Sequence, residues 1–254
     1  DLETLNIDPI KVEEKITSNT SGILATHVFS NPCDVKALKR ISKRHDLKLI
    51  YDGAHAFGIN HEGYSVFSYG DISTISFHAT KSLNSGEGGA IFTNNDELAK
   101  KIRLAINFGY ENYKIVQLGI NAKMNEFNAA LGVLNLKYYN NCFESRKEKS
   151  LLYDSALKNN INIRRPQFLE NNHTYYPVIF SSPALKNKVK EKLESLNIFP
   201  REYFHPSLDK VFNNTNSFCP LSSEVSEKIL CLPIYPDLDN SLIFKISDVI
   251  NNIN

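Results

Sequence analysis

The sequence predicts an α/β protein, with a mixed, mostly parallel sheet between flanking helices and a smaller α+β layer after it. Three observations predict this. Short apolar runs that read as strands alternate with stretches whose apolar residues recur at helical spacing. The helical stretches open on residues suited to capping, Asp8, Asp34 and Asn95. Beyond about residue 140 strand and helix go on alternating, but with more loop between them.

Taken in order, Asp8-Pro9 pairs an N-cap with proline at the first helical position and predicts a helix from Pro9 to about Ile16. SGILATH (21–27) reads as a buried strand that ends at His27, a structural histidine by this reading. NPCD (31–34) then turns into a helix capped by Asp34, with Val35, Leu38 and Ile41 on one apolar face. LKLIYD is a strand ending in Asp52, DISTISF a second ending near Phe77, and GGAIFTN (88–94) a third, after which Asn95 begins a helix to about Ala105. A long helix from Met124 towards Ala156 carries Phe127, Leu131, Leu134 and Leu136 on or near one face, and leads from a larger domain (1–140) to a smaller one (141–254). In the second domain HTYYPVIF (173–180) reads as a strand with Tyr175, Tyr176 and Phe180 packed by alternation. PALKNKVKEKLESLNI reads as a helix whose Glu and Lys residues between 186 and 194 form a solvated face, and further helices start at Ser222 and Asn240.

Composition narrows the function. The 254 residues, 42% hydrophobic and 22% charged, can bury a substantial core. With a formal net charge of +1 and basic residues spread along the chain, there is no basic stripe of the kind set against nucleic-acid phosphates. Cys33, Cys142, Cys219 and Cys231 are far apart and form no CxxC pair, which argues against a zinc site and a disulfide scaffold and for reduced thiols in a cytoplasm. No run approaches the ~20 apolar residues of a membrane span. The opening DLETLNIDPI lacks both an initiator methionine and the order of a signal peptide, and reads as a connector.

The chemistry-bearing residues lie between 49 and 89. Asp52 and Lys81 each follow a strand end, where ligands collect in open α/β sheets. Alone, each has a bland reading: the aspartate caps a turn and the lysine is solvated. As a pair they suit pyridoxal phosphate, which needs a lysine amine for its aldehyde and a carboxylate to keep its ring nitrogen protonated. GEGG (86–89) lacks the lysine spacing of a nucleotide-phosphate loop and reads as a turn beside the cofactor.

LIYDGAHAFG (49–58) and GDISTISFHATKSLNSGEGGAIFTN (70–94) resemble the core of the DegT/DnrJ/EryC1/StrS family of pyridoxal phosphate-dependent nucleotide-sugar aminotransferases. Further matching blocks are LGINAKMNEFNAALG (118–132), FPREYFHPSL (199–208) and LCLPIYPDL (230–238), so the resemblance spans essentially the whole chain. It implies the fold type I, aspartate aminotransferase-like architecture. Lys81 would carry the cofactor covalently and then act as acid and base, with Asp52 on the pyridinium nitrogen, Ala54 against one ring face and His55 on the phenolic oxygen. Ser76 would hold the phosphate with His78 beside it, and Asn121 would reach that phosphate from a neighbouring subunit, which implies a homodimer with shared sites. Arg201 and His205 would lie near the substrate.

The implied reaction has two halves: L-glutamate leaves its amino group as pyridoxamine phosphate, which then aminates a nucleotide-linked keto sugar. The FHATK block is similar to the branch acting on dTDP-linked 4-keto-6-deoxy sugars. That points to dTDP-4-dehydro-6-deoxyglucose and to a 4-amino-4,6-dideoxy sugar for surface polysaccharide such as lipopolysaccharide O-antigen. Transfer to C3 is the nearest alternative, and a sugar dehydratase of the same family, which typically has histidine in place of Lys81, is another. A non-catalytic binding protein is the third. Family members carry a segment before the point where this sequence opens, supplying a phosphate-binding turn at a helix N-terminus and a ring on the cofactor face opposite Ala54. INFGY (106–110) also departs from the basic or histidine-containing sequence common there.

Overall fold

The computed structural model describes residues 1–212 and 219–253. Its first strands in chain order are β1 (Gly22–Thr26), β2 (Lys48–Asp52), the hairpin β3 (Asn60–His61) and β4 (Tyr64–Ser65), then β5 (Ile72–Ser76) and β6 (Gly89–Phe92). β1, β2 and β5 lie parallel and β6 closes antiparallel on β5, in the order β1-β2-β5-β6. The sheet is therefore mixed and mostly parallel, as expected. Its register sets Thr26 beside Asp52 and Asp52 beside Thr74, so three carboxyl ends stand side by side.

Local chemistry starts the helices where capping residues stand. α1 (Pro9–Glu14) begins as the Asp8 carboxylate accepts from the N–H groups of Ile10 and Lys11, and α2 (Val35–Arg44) as Asp34 accepts from Ala37 at 2.8 Å. Val35, Leu38 and Ile41 are buried with Ile23, Leu49 and Tyr51, which fastens α2 to the sheet. α3 (Asp96–Ala105) is capped by Asn95, whose Oδ1 accepts from Leu98. A second hairpin, β7 (Tyr110–Glu111) and β8 (Lys114–Ile115), precedes the 32-residue α4 (Glu126–Leu157). Phe127, Leu131, Leu134 and Leu136 on α4 stand exposed, Phe127 at 89%.

Two compact units make up the described chain, Asn6–Tyr139 and the residues from Asn140 on. Asp1–Leu5 go with the second unit, because Gln167 donates from its backbone to the Glu3 carbonyl at 2.7 Å and from its side chain to the Glu3 carboxylate at 2.9 Å. In that unit β9 (Ile163–Arg164), β10 (Tyr176–Phe180), α5 (Pro183–Glu194), α6 (Leu208–Val211), α7 (Pro220–Lys228), β11 (Ile229–Leu232) and α8 (Asn240–Asn252) follow in turn. The antiparallel sheet has the order β11-β10-β9.

Two expectations change here. The core packing expected of Tyr175, Tyr176 and Phe180 holds, but β10 is buried at every residue rather than alternately, because Tyr176, Val178 and Phe180 join a core with Leu185, Val189 and Ile246 while Pro177 and Ile179 are covered as well. The charged face of α5 is only partly solvated: Lys186 is 3% exposed, and its Nζ and that of Lys190 each lie 2.6 Å from a Glu202 carboxylate oxygen. Burial pushes the Glu202 carboxyl up, but the two lysines outweigh it and hold it at about 2. A helical period reveals which residues share a face; it does not reveal a partner arriving from elsewhere in the chain. No helix among the described residues is long and apolar enough to cross a membrane.

Candidate active site

Lys81 follows β5 in a turn whose backbone is closed at both ends. Its own N–H donates to the His78 carbonyl at 2.9 Å, Phe77 N–H to Gly88 O at 2.8 Å, and Ser85 N–H to Phe77 O at 2.9 Å. Gly88 has φ +144°, and a Cβ on Gly89 would stand 2.6 Å from the Ile75 carbonyl oxygen, so the return into β6 needs both glycines. GEGG is thus the closing turn of the lysine loop.

At the end of the neighbouring β2, the Asp52 Oδ1 accepts from Ala54 N–H at 2.9 Å, an aspartate turn that bends the chain sharply to His55. His55 is 8% exposed and accepts at Nδ1 from the backbone N–H of Phe29 at 3.2 Å. Its proton therefore sits on Nε2, by the logic of that hydrogen bond. Phe29 stacks on the imidazole with centroids 6.1 Å apart and takes φ +51°, a left-handed backbone that brings its N–H to the ring. The 28–32 segment is in turn pinned by buried Asn6, whose Nδ2 donates to Asn31 O and Pro32 O while its Oδ1 accepts from Val28 N–H, each at 3.0 Å. Neither Asn6 nor Phe29 stands out in the sequence. An asparagine in a connector and a phenylalanine after a strand carry no signal of the histidine they orient.

Electrostatics tie these groups together. Burial pushes the Lys81 amine below its usual range, while the nearby Asp52 carboxylate pulls it partly back. Burial, then the charge on Lys81, brings His55 down to about 3. Amine, carboxylate and neutral imidazole therefore occupy one neighbourhood. Ser76 ends β5, and its Oγ accepts from His78 N–H at 3.2 Å. His78 is exposed and turned to Thr80, whose N–H donates to its Nδ1 at 3.2 Å. Asn121 lies in an exposed segment bridged to Asn107, and its Oδ1 accepts from Lys123 Nζ at 2.7 Å. Arg201 and His205 belong to the second unit and are exposed. Arg201 is pinned by paired backbone hydrogen bonds with Cys231, and His205 N–H donates to Glu202 O.

This donor set fits pyridoxal phosphate: an amine for the aldehyde, a carboxylate for the ring nitrogen, an N–H donor for the phenolic oxygen and a hydroxyl for the phosphate. The small Ala54 leaves room beside the carboxylate.

His27, at the end of β1, plays a structural part. It is fully buried, accepts at Nδ1 from Cys33 N–H at 3.1 Å and stacks on Tyr51 at 4.8 Å. Burial, then His61, brings it to about 4. Both His27 and His55 are lowered on folding, so the unfolded chain binds more protons below about 6.5, and stability held near neutrality is lost as pH falls towards 4 and then 3. The unfolding free energy should drop between about pH 7 and about pH 5 by on the order of 2 kcal/mol per histidine, and the denaturant midpoint should fall with it. The His27→Gln, His55→Gln double variant should show a flatter profile; an equally steep one would refute the assignment.

The DegT/DnrJ/EryC1/StrS aminotransferase family model matches residues 1–253. The chain is 37% identical to a dTDP-4-amino-4,6-dideoxy-D-glucose transaminase of Shigella dysenteriae over 253 residues, 96% of this chain and 69% of that protein. It is 33% identical to the Escherichia coli protein of the same name, over 96% of this chain and 70% of that one. Among solved structures, DesI crystallised with its TDP-sugar product superposes with a TM-score of 0.90 at 29% identity, over 99% of this chain and 67% of DesI. Matched along its length and folded alike, this chain belongs to the DegT/DnrJ/EryC1/StrS family and is a pyridoxal phosphate-dependent sugar aminotransferase.

Proposed function

We propose that the protein transfers the amino group of L-glutamate to C4 of dTDP-4-dehydro-6-deoxyglucose, as a cytoplasmic homodimer serving surface polysaccharide synthesis. The observation that carries this reading is the convergence of Lys81, Asp52 and His55 in a chain similar to two dTDP-4-amino-4,6-dideoxy-D-glucose transaminases.

Bound here, pyridoxal phosphate supplies an electron sink that makes the carbon bearing the substrate nitrogen acidic. The rest falls to the side chains. Asp52 would hold the ring nitrogen and His55 Nε2–H the phenolic oxygen, while Ser76 and His78 would hold the phosphate. Lys81 Nζ, lowered by burial, is neutral at a lower pH than an exposed lysine and so can accept a proton from the substrate carbon and return it. By the family resemblance, Arg201 and His205 would be a cation and a donor for the substrate. What supports a dimer is the run of exposed apolar side chains in the first unit, with Tyr113, Leu118 and Phe127 each at least 89% exposed. Asn121 sits in that run and would reach the phosphate of the other protomer.

The test is a glutamate-dependent assay over a panel of nucleotide-linked keto sugars, following 2-oxoglutarate and the aminated product. The dTDP 4-keto sugar should be the best substrate and carry nitrogen at C4. Nitrogen at C3, or preference for another nucleotide, would overturn the substrate assignment.

A further inference from the structure

One stripe of α4 touches both loops of the site. Asn128, Gly132, Asn135 and Tyr139 follow one another at spacings of four, three and four, which places them along a single helix face. Asn128 Nδ2 donates to the backbone carbonyls of Ser85 at 2.8 Å and Glu87 at 2.7 Å. Asn135 Nδ2 donates to the Asn84 carbonyl at 2.9 Å. Between them a Cβ on Gly132 would come within 3.3 Å of the Ser85 side chain, so the loop rests directly on the helix. All three contacts fall in the return of the Lys81 loop. One turn further on, Tyr139 Oη donates to the Phe57 carbonyl at 3.0 Å and its ring meets Phe57 edge-on at 4.8 Å. Gly58, with φ +78°, lies so close beneath the Tyr139 hydroxyl that a Cβ would collide with it. This contact falls just beyond Asp52 and His55.

We propose that Asn128, Asn135 and Tyr139 are positioning residues of the aminotransferase site, holding the Lys81 loop and the Asp52–His55 loop in register on one rigid element. The proposal rests on the reading that Lys81 and Asp52 act at the cofactor. Its physical basis is the kind of atom gripped. Three side chains donate to main-chain carbonyls of irregular segments, which fixes those carbonyls in direction as well as position. Apolar packing would hold the loops close without setting their orientation. An active-site amine must be held within a fraction of an ångström of its partners, and loops achieve this only when a supporting layer locks them.

The test uses Asn128→Ala, Asn135→Ala and Tyr139→Phe, with Asn128→Gln as the conservative variant and Lys137→Ala as a control on an exposed position of the same helix. Each is titrated with pyridoxal phosphate, the absorption band is followed against pH, and borohydride fixation at Lys81 is read by mass spectrometry. Without cofactor, hydrogen exchange is measured at the Lys81 and Ser85 amides. Asn128→Ala should weaken cofactor binding by about tenfold, the scale of one well-made hydrogen bond, shift the titration of the band and speed exchange at both amides. Asn128→Gln should recover part of each effect, and Lys137→Ala should change none. If wild type and variants share one affinity, one titration curve and one exchange rate, or the variants only lower the melting temperature, the positioning role is wrong and the assignment of Lys81 stands. If the wild type itself fixes no cofactor at Lys81, both fall. Should Asn128→Ala not fold, Tyr139→Phe, which removes a single oxygen, decides the question.

Discussion

Lys81→Ala should leave the protein folded and without aminotransferase turnover. The backbone hydrogen bond from residue 81 to His78 survives the change, and the side chain removed is only half buried, so the loop keeps its closure. The chemistry does not survive. Removing a positioned acid–base group costs roughly 10²- to 10⁴-fold on its own, and in the proposed mechanism the same amine would also be the covalent anchor. Wild-type protein treated with pyridoxal phosphate and borohydride should carry the pyridoxyl mass on the peptide containing Lys81, and the variant should carry none there. Turnover by the variant at a substantial fraction of the wild-type rate would refute the mechanism, whatever the substrate proves to be.

Asp52→Asn should be the next largest loss, and of a different kind. Asparagine keeps an oxygen to accept from Ala54 N–H, so the turn into His55 is retained while the charge is deleted. The cofactor should still bind covalently, because Lys81 is untouched. Turnover should fall by about 10²- to 10³-fold, the range for removing a preorganised electrostatic partner. Asp52 pulls the Lys81 amine up, so its loss should lower that amine further. Labelling of the cofactor-free protein by an amine-reactive reagent should then reach its plateau at lower pH than in the wild type. Turnover within a few-fold of wild type, or an unchanged labelling profile, would show that Asp52 is not the carboxylate that matters.

The parts of the fold legible in the chain are those set by neighbours in sequence. Asp8, Asp34 and Asn95 cap helices because a short side chain one position outside the helix reaches N–H groups two or three residues on, and that geometry is local. The alternation of strand and helix likewise announced a mostly parallel sheet, and the ordered blocks from LIYDGAHAFG to LCLPIYPDL announced the family. β11 is not legible as a strand: its apolar run follows directly on α7 and depends on pairing with β10, about fifty residues earlier. The expected solvated face of α5 failed for the same reason, since Glu202 reaches Lys186 from another segment.

Lys81 and Asp52 could be proposed from type and order, because the cofactor needs an amine and a carboxylate, and His55 and Ser76 from the family's blocks, because residue identity is written in the chain. Their ionisation could not. The lowered amine of Lys81 and the neutral His55 come from desolvation, which depends on everything packed around a group and not on its neighbours in sequence. The tautomer of His55 follows from a Phe29 N–H that buried Asn6 helps to place. The alignment of the two loops follows from amide and hydroxyl groups on a helix some forty to eighty residues further along. Chain order thus names the reagents, and packing sets their protonation and aim, because burial and hydrogen-bond direction exist only once distant segments have met.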